Sequence, residues 1–281
     1  MKRVLSIQDI SCVGRCSLTV ALPILSVMGV EACPLPTAVL STHTAFDHFT
    51  FRDLTDEIRP IAEVWEKEKI TFDAVGSGYL GSLQQIALVK ELGEYFRNVY
   101  SGDSGFLQIV DPAMADNGVL YAGFTPEFAK AMASLCQKAD LILPNLTEAC
   151  MMTGKGYRTD GDAAYWEEIL TALADMGCRN VVLTGYSVKE DCIGAIALQT
   201  VNGKREVHSY VNEKLPGSYH GTGDIFASVV TGAMAKGKSL EQAQKLAVDF
   251  TLESMRKTME DPQRRSYGVN FEEVLTTLGN A

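Results

Sequence analysis

The stretch His220-Gly221-Thr222-Gly223-Asp224 places a glycine-flanked turn directly before an apolar run, Ile225-Phe226-Ala227-Ser228-Val229-Val230. Glycine lets backbone N–H groups approach a ligand closely. A helix N-terminus adds unpaired N–H groups and a positive dipole end, and together these suit an anion. Asp224 falls in that first turn, where a carboxylate weakens anion binding. It makes chemical sense as a general base that takes a proton from a hydroxyl attacking the anion, as in phosphoryl transfer. The competing reading makes Asp224 a helix-capping acid.

Two more segments bear acids. Asp111-Pro112-Ala113-Met114-Ala115-Asp116 leaves a predicted strand, and Asn145-Leu146-Thr147-Glu148 leaves the next one. Hard divalent cations take oxygen ligands, often one or two carboxylates completed by phosphates and waters. The set Asp111, Asp116 and Glu148 therefore suits a Mg–nucleotide. Structural alternatives exist for each: Asp116-Asn117-Gly118 is good turn chemistry, and Asn145 with Glu148 can form a capping box.

Positioning these groups requires a sheet. Apolar runs at 3–8, 31–36, 72–76, 107–111, 141–144 and 181–184 predict strands, and helical patterns at 83–100, 126–138 and 163–176 lie between them. Such alternation predicts parallel strands joined by crossover helices, hence an α/β sandwich. Residues 193–200 and 204–211 flank Asn202-Gly203, which predicts a hairpin with a tight turn. Helices are predicted at 224–235, 240–257 and 271–278. No linker, repeat or low-complexity tract interrupts the chain, so one domain over 1–281 is expected. Gln8-Asp9, Ser77-Gly78-Tyr79, Asp111-Pro112, Pro144-Asn145 and Thr184-Gly185 all fall at strand C-termini. Open α/β sheets bind ligands at that edge.

Two motif matches fail on context. Gly232-Ala233-Met234-Ala235-Lys236-Gly237-Lys238-Ser239 matches the P-loop pattern, but a helix precedes it where the mechanism demands a strand. Gly237 reads as a helix stop, and Ser239 as the N-cap of the next helix with Gln242 completing a capping box. Gly76-Ser77-Gly78-Tyr79-Leu80-Gly81 matches the dinucleotide fingerprint. Its strand is not the first, however, and no acid ends a following strand about 20 residues later. It reads instead as a tight turn that lets Tyr79 face a ligand.

Bulk properties narrow the function further. The chain has 281 residues, 46% hydrophobic and 21% charged, which is ordinary globular composition. A net charge of −10 argues against nucleic acid as the main ligand, since phosphate backbones need clustered Lys and Arg. No run reaches membrane-span length, and the N-terminal segment lacks the apolar stretch of a signal peptide. The seven cysteines are scattered without a zinc pattern, which suits free thiols in a reducing cytoplasm. Asn145-Leu146-Thr147 carries no glycosylation meaning without a secretion signal.

The combination of Gly221-Thr222-Gly223-Asp224, Asn145-x-x-Glu148 and Asp111-Pro112 with Asp116 resembles the ribokinase superfamily. The patterns from Ser6-Ile7-Gln8 to Gly14, Ser41-Thr42-His43-Thr44 and Ser77-Gly78-Tyr79-Leu80-Gly81 are similar to those of the pyridoxal kinases within it. The resemblance implies a three-layer α/β/α sandwich with a mostly parallel central sheet. It implies ATP-dependent phosphorylation of the 5′-hydroxymethyl group of vitamin B6. Asp224 would be the base, and Gly221, Thr222 and Gly223 the anion hole. Asp111, Asn145 and Glu148 would organise Mg²⁺ and its waters on ATP, with Asp116 as a further metal ligand. Thr184, Gly185 and Thr222 would lie by the nucleotide phosphates, and residues 212–219 would wall the base. Asp9, His43, Thr44 and Tyr79, with Asp224, would surround the pyridine ring. Mg²⁺ is the implied cofactor, with room for a monovalent cation, and a cytoplasmic homodimer is the implied form. The related kinases usually carry Ser where Asp9 stands, and a Val-Met-Gly-Asp-like run at 113–116. A hydroxymethylpyrimidine kinase of the thiamine pathway is the alternative, disfavoured by the single glycine in Ser11–Arg15. A non-catalytic B6-binding protein is the other, opposed by the intact Gly221–Asp224 loop.

Overall fold

The computed structural model describes residues 1–99, 105–217 and 219–280. The end of the predicted helix at Tyr100, Ser218 in the expected nucleotide wall, and Ala281 lie outside the described residues. Six parallel strands form the centre of a nine-stranded sheet: β1 (Arg3–Val13), β2 (Glu31–Thr42), β4 (Ala74–Ser77), β5 (Leu107–Val110), β8 (Leu141–Ile142) and β9 (Val181–Tyr186). They lie in the order β9-β8-β5-β4-β1-β2. Antiparallel strands close both edges, β3 (Phe51–Asp53) beside β2, and β10 (Cys192–Val201) with β11 (Lys204–Glu213) beside β9. The Asn202-Gly203 hairpin forms as predicted, with Val201 opposite Lys204 and both turn residues at positive φ.

Helices cover both faces, which explains the unbroken apolar runs in the central strands. On one face α2 (Thr55–Lys67), α3 (Leu83–Val99), α4 (Pro126–Cys136), α5 (Leu146–Thr153) and α6 (Ala163–Asp175) pack on Leu5, Ile7, Val75, Val110, Ile142 and Leu183. On the other, α1 (Leu18–Val27), α7 (Thr222–Ala235), α8 (Leu240–Glu260) and a final 3₁₀ helix (Phe271–Asn280) pack on Ile109, Leu141, Leu143 and Val182. Neighbouring residues such as Ile109 and Val110 feed opposite cores, as strand alternation requires. Each fully buried side chain of this size contributes about 1.5–3 kcal/mol.

The structure corrects several sequence expectations. Helices α1 and α2, strand β3 and the small hairpin β6 (Ala115–Asp116)–β7 (Val119–Leu120) are additional elements, while α5 is the helix that the Asn145–Glu148 capping box opens. The predicted helix 271–278 is 3₁₀. The predicted strand 141–144 is short, because Leu143 and Pro144 continue as extended chain that bonds Val110 and Thr184. The rejected P-loop match is a helix junction. Gly232 lies inside α7 against Leu25 and Met28, Gly237 has φ 86°, and Ser239 and Gln242 form the capping box of α8. Among the described residues no helix is long and apolar enough to cross a membrane.

Candidate active site

The parallel strands end along one edge, and register sets the depth of each polar group. Ile7 pairs with Ser77, Ser77 with Val110, and Val110 with Ile142. The Asp111 N–H then bonds the Ser77 carbonyl, and Asn145 bridges to Thr184. Asp9 and Tyr79 thus stand two residues, Asp111 one and Asn145 three beyond these last pairs, and Thr184 sits within β9 beside Asn145.

Helix α7 points its N-terminus at this edge. Gly221 is its N-cap at φ 80°, and a Cβ there would lie 2.0 Å from the Arg15 carbonyl oxygen. Left-handed backbone and close approach both demand glycine. The first intrahelical bond runs from Ile225 N–H to the Gly221 carbonyl, so the Thr222, Gly223 and Asp224 N–H groups start the helix without helical partners. The Thr222 hydroxyl donates to the Tyr219 carbonyl at 3.2 Å.

Asp224, partly buried in that first turn, lies beside the Ser17 N–H, which lowers its carboxyl. Burial, then the charge of Asp111, raises its carboxyl to about 7; Asp9 adds to the rise and the Ser17 N–H opposes it. A carboxyl poised there is matched to proton transfer near neutral pH. Asp111 is raised by burial and by repulsion from Glu148, against one hydrogen bond from the Ala113 N–H. Glu148 is 2% exposed and raised by burial. Its Oε1 accepts from the Met114 N–H at 2.9 Å and its Oε2 from the Asn145 N–H at 2.9 Å. The Asn145 Oδ1 accepts in return from the Glu148 N–H, completing the capping box, while its Nδ2 donates to the Ala115 carbonyl. Asn145 and Glu148 therefore clamp Met114 and Ala115, just beyond Asp111.

Asp116 differs: it is exposed at the β6 end, and its carboxylate accepts from the Asn117 N–H and side-chain amide. The turn reading describes it well, although its charge still reaches Glu148. Among the described residues no three His, Cys, Asp or Glu side chains gather closely enough to hold a metal alone. Two recessed, mutually repelling carboxylates still fit a hard divalent cation, with phosphate and water completing its shell. Thr184 is half-buried and bonded to the Pro144 carbonyl, and Gly185 follows exposed at φ 76°.

At the opposite end Asp9 is 5% exposed, where the β1–β2 register shifts. It accepts from the Ser17 hydroxyl at 2.6 Å and the Ser11 hydroxyl at 3.0 Å. Burial raises its carboxyl, and those two hydroxyls oppose the rise. The His43 Nε2 meets the Tyr267 carbonyl at 3.1 Å, and its ring lies 5.4 Å from His220 and 4.9 Å from Phe46. Burial lowers the His43 imidazole, and so does His220. Thr44 is exposed in the turn that follows. Tyr79 stacks on Phe124 at 5.7 Å; burial raises its hydroxyl, and the charge of Asp9 adds to the rise. The Gly78 N–H bonds the Ile7 carbonyl, and a Cβ on Gly78 would meet the Gln8 side chain at 2.8 Å. The turn glycines therefore serve packing.

Sequence reasoning missed several residues at this edge. Tyr121, after β7, feels Glu148, Asp111, Asp116 and Asp224, and burial with those charges raises its hydroxyl. Phe46, His220 and Tyr267 form an aromatic wall with His43. Ser17 touches both Asp9 and Asp224. No local pattern marks the wall, because its members are drawn from the turn after β2, the residue before the α7 cap and the segment after α8. Ser17 carried a readable signal, a small polar residue opening the apolar run that becomes α1.

This geometry has close counterparts among known proteins. The phosphomethylpyrimidine kinase family profile matches residues 25–267. A Bacteroides thetaiotaomicron candidate phosphomethylpyrimidine kinase, in its crystal form with pyridoxal, is 39% identical with a TM-score of 0.90, over 99% of this chain and 95% of that one. The pyridoxal kinase of Lactobacillus plantarum is 31% identical with a TM-score of 0.88, over 99% and 96%. Arabidopsis thaliana pyridoxal kinase is 27% identical over 274 residues, 94% of this chain and 85% of that one. With most of the chain covered by the profile and the three-layer fold shared, the chain belongs to the phosphomethylpyrimidine kinase family of the ribokinase superfamily.

Proposed function

We propose that this chain transfers the γ-phosphoryl group of ATP to the 5′-hydroxymethyl group of a B6 vitamer, giving the 5′-phosphate and ADP. The observation that carries the reading is Asp224. Its carboxyl is raised to about 7 at the N-terminus of α7, beside the helix-start N–H groups of the Gly221–Asp224 loop. In this reading the Asp224 carboxylate accepts the hydroxyl proton as the oxygen bonds to phosphorus, and the bond to the bridging oxygen breaks toward ADP. The loop N–H groups of Gly221, Thr222 and Gly223 receive the negative charge of the transferred group. Asp111, backed by Glu148 and with Asp116 at the rim, would hold Mg²⁺, which neutralises phosphate charge when bound with ATP. Asn145, Thr184 and Gly185 would line the phosphates. Asp9, His43, Thr44 and Tyr79 would enclose the ring, Asp9 pairing with a protonated ring nitrogen. The pyridoxal complex of a 39%-identical protein supports this substrate class. The reading includes one kinase domain over 1–281, a homodimer, and a reducing cytoplasm, which suits seven free cysteines.

The family profile's own substrate class keeps hydroxymethylpyrimidine kinase as a second reading, since the same base and anion loop would serve it. Turnover with Mg–ATP on pyridoxal, pyridoxine, pyridoxamine and hydroxymethylpyrimidine separates the two. A kcat/KM at least about tenfold higher on a B6 vitamer supports the first reading. Preference for the pyrimidine, or no turnover at all, would overturn it.

A further inference from the structure

Ser17 is the N-cap of α1 and adopts φ 49°, ψ −133°, a region that favours glycine. Serine is usually chosen as an N-cap because its hydroxyl accepts from the first helical turn. Here the hydroxyl makes no capping bond. It donates instead to the buried Asp9 Oδ1 at 2.6 Å, while the Ser17 carbonyl takes the Val20 and Ala21 N–H groups. The Ser17 N–H lies beside the Asp224 carboxylate, because the N-cap of α7 packs on the backbone of Arg15 and Cys16. One residue thus spans two acids, and its unfavourable backbone makes sense only if something holds it there.

We infer that Ser17 is a positioning residue for the base: the Asp9–Ser17 hydroxyl bond pins the left-handed backbone that keeps the Ser17 N–H on Asp224. The inference rests on Asp224 being the base. It deepens the role of Asp9 from ring contact to anchor of the catalytic geometry.

Two substitutions at one position separate anchoring from mere polarity. Ser17→Ala keeps the backbone strain and loses the anchor, so the backbone should relax and withdraw its N–H. Ser17→Gly also loses the hydroxyl but adopts the same φ and ψ without strain. With pyridoxal and ATP, Ser17→Ala should lower kcat by about tenfold or more with KM for ATP unchanged, whereas Ser17→Gly stays within about twofold of the parent. In an Asp9→Ala background, adding Ser17→Gly should restore about tenfold in kcat while KM for the vitamer remains high. Equal kcat for the alanine and glycine variants, or no recovery in the double variant, overturns the inference. So does a Ser17→Gly protein that does not fold. Absence of vitamer turnover by the unsubstituted protein would instead sink the functional reading on which it rests.

Discussion

The two ends of the cleft hold their acids in different ways. At the β5–β8 end, Glu148 is satisfied by backbone N–H groups from Asn145 and Met114, and the Asn145 amide is spent on Glu148 and Ala115. Every partner is main chain, and the central pair lies three residues apart. At the β1–β2 end, Asp9 is held by two serine hydroxyls, and the adjoining wall of His43, Phe46, His220 and Tyr267 comes from three separate regions of the chain. A backbone-held carboxylate fixes a loop; a hydroxyl-held carboxylate can exchange a partner for a ligand. The first end is held in one geometry by its own backbone. The second can change its side-chain partners without disturbing the fold.

Asp224 lies between the two ends and breaks the comparison most sharply. Asp224→Ala should lower kcat about 10²–10⁴-fold while ATP still binds, read by steady-state kinetics and nucleotide titration. Near-normal turnover would leave neither end with a reaction to serve. The same residue has a stability signature. Its folded value of about 7 lies above the ordinary 3.8, so the native state favours the protonated form. That stabilisation is complete below about pH 4 and is lost as pH rises through 7. Asp224→Asn should therefore raise Tm over the parent at pH 8 and change it little at pH 4. The difference is on the order of a few kcal/mol, because each tenfold change in proton affinity on folding is worth roughly 1.4 kcal/mol. Melting curves at the two pH values check the sign.

Glu148→Gln tests the rigid end. A glutamine places one amide donor against a backbone N–H, leaving a buried clash that costs about 1–3 kcal/mol. Met114 and Ala115 should loosen, and the Mg²⁺ concentration for half-maximal rate should rise more than KM for the vitamer. An unchanged Mg²⁺ titration alongside a lowered Tm would return Glu148 to capping alone.

Asp9→Asn tests the adaptable end. It keeps an oxygen acceptor for Ser17 and removes the charge. KM for the vitamer should rise about three- to tenfold, with kcat and KM for ATP little changed. The alkaline limb of kcat/KM should move to lower pH, because a carboxylate no longer favours the protonated ring. A shift confined to ATP would show that Asp9 serves the other end.

The smallest effect is expected at Lys238. It lies in the α7–α8 junction, so Lys238→Ala should keep activity within about twofold of the parent. A P-loop lysine would contact the β- and γ-phosphates, and its loss would abolish turnover.

Much of this molecule could be read locally. The parallel strands announced themselves as apolar runs ending in polar punctuation, and the Asn202-Gly203 hairpin and the Ser239–Gln242 capping box formed at the expected residues. The context test on the Gly232–Ser239 match succeeded for the same reason: a capping box depends on residues three apart. Helices α1 and α2 were harder, and each carries an internal proline, Pro23 and Pro60. The 3₁₀ character of the last helix was not legible, because i→i+3 and i→i+4 helices share nearly the same apolar spacing.

The amino-acid sequence by itself determined the fold class, the strand ends where polar groups gather, and the glycine turn with its acid at the start of α7, since period, turn chemistry and helix starts are short-range properties. Tertiary structure alone decided the rest. It turned Asp116 outward while drawing Asp111 and Glu148 together, set His43 near His220, and stretched Ser17 between Asp9 and Asp224. Those pairings depend on sheet register and on the packing of α1 and α7 against it, and no window of local sequence encodes them.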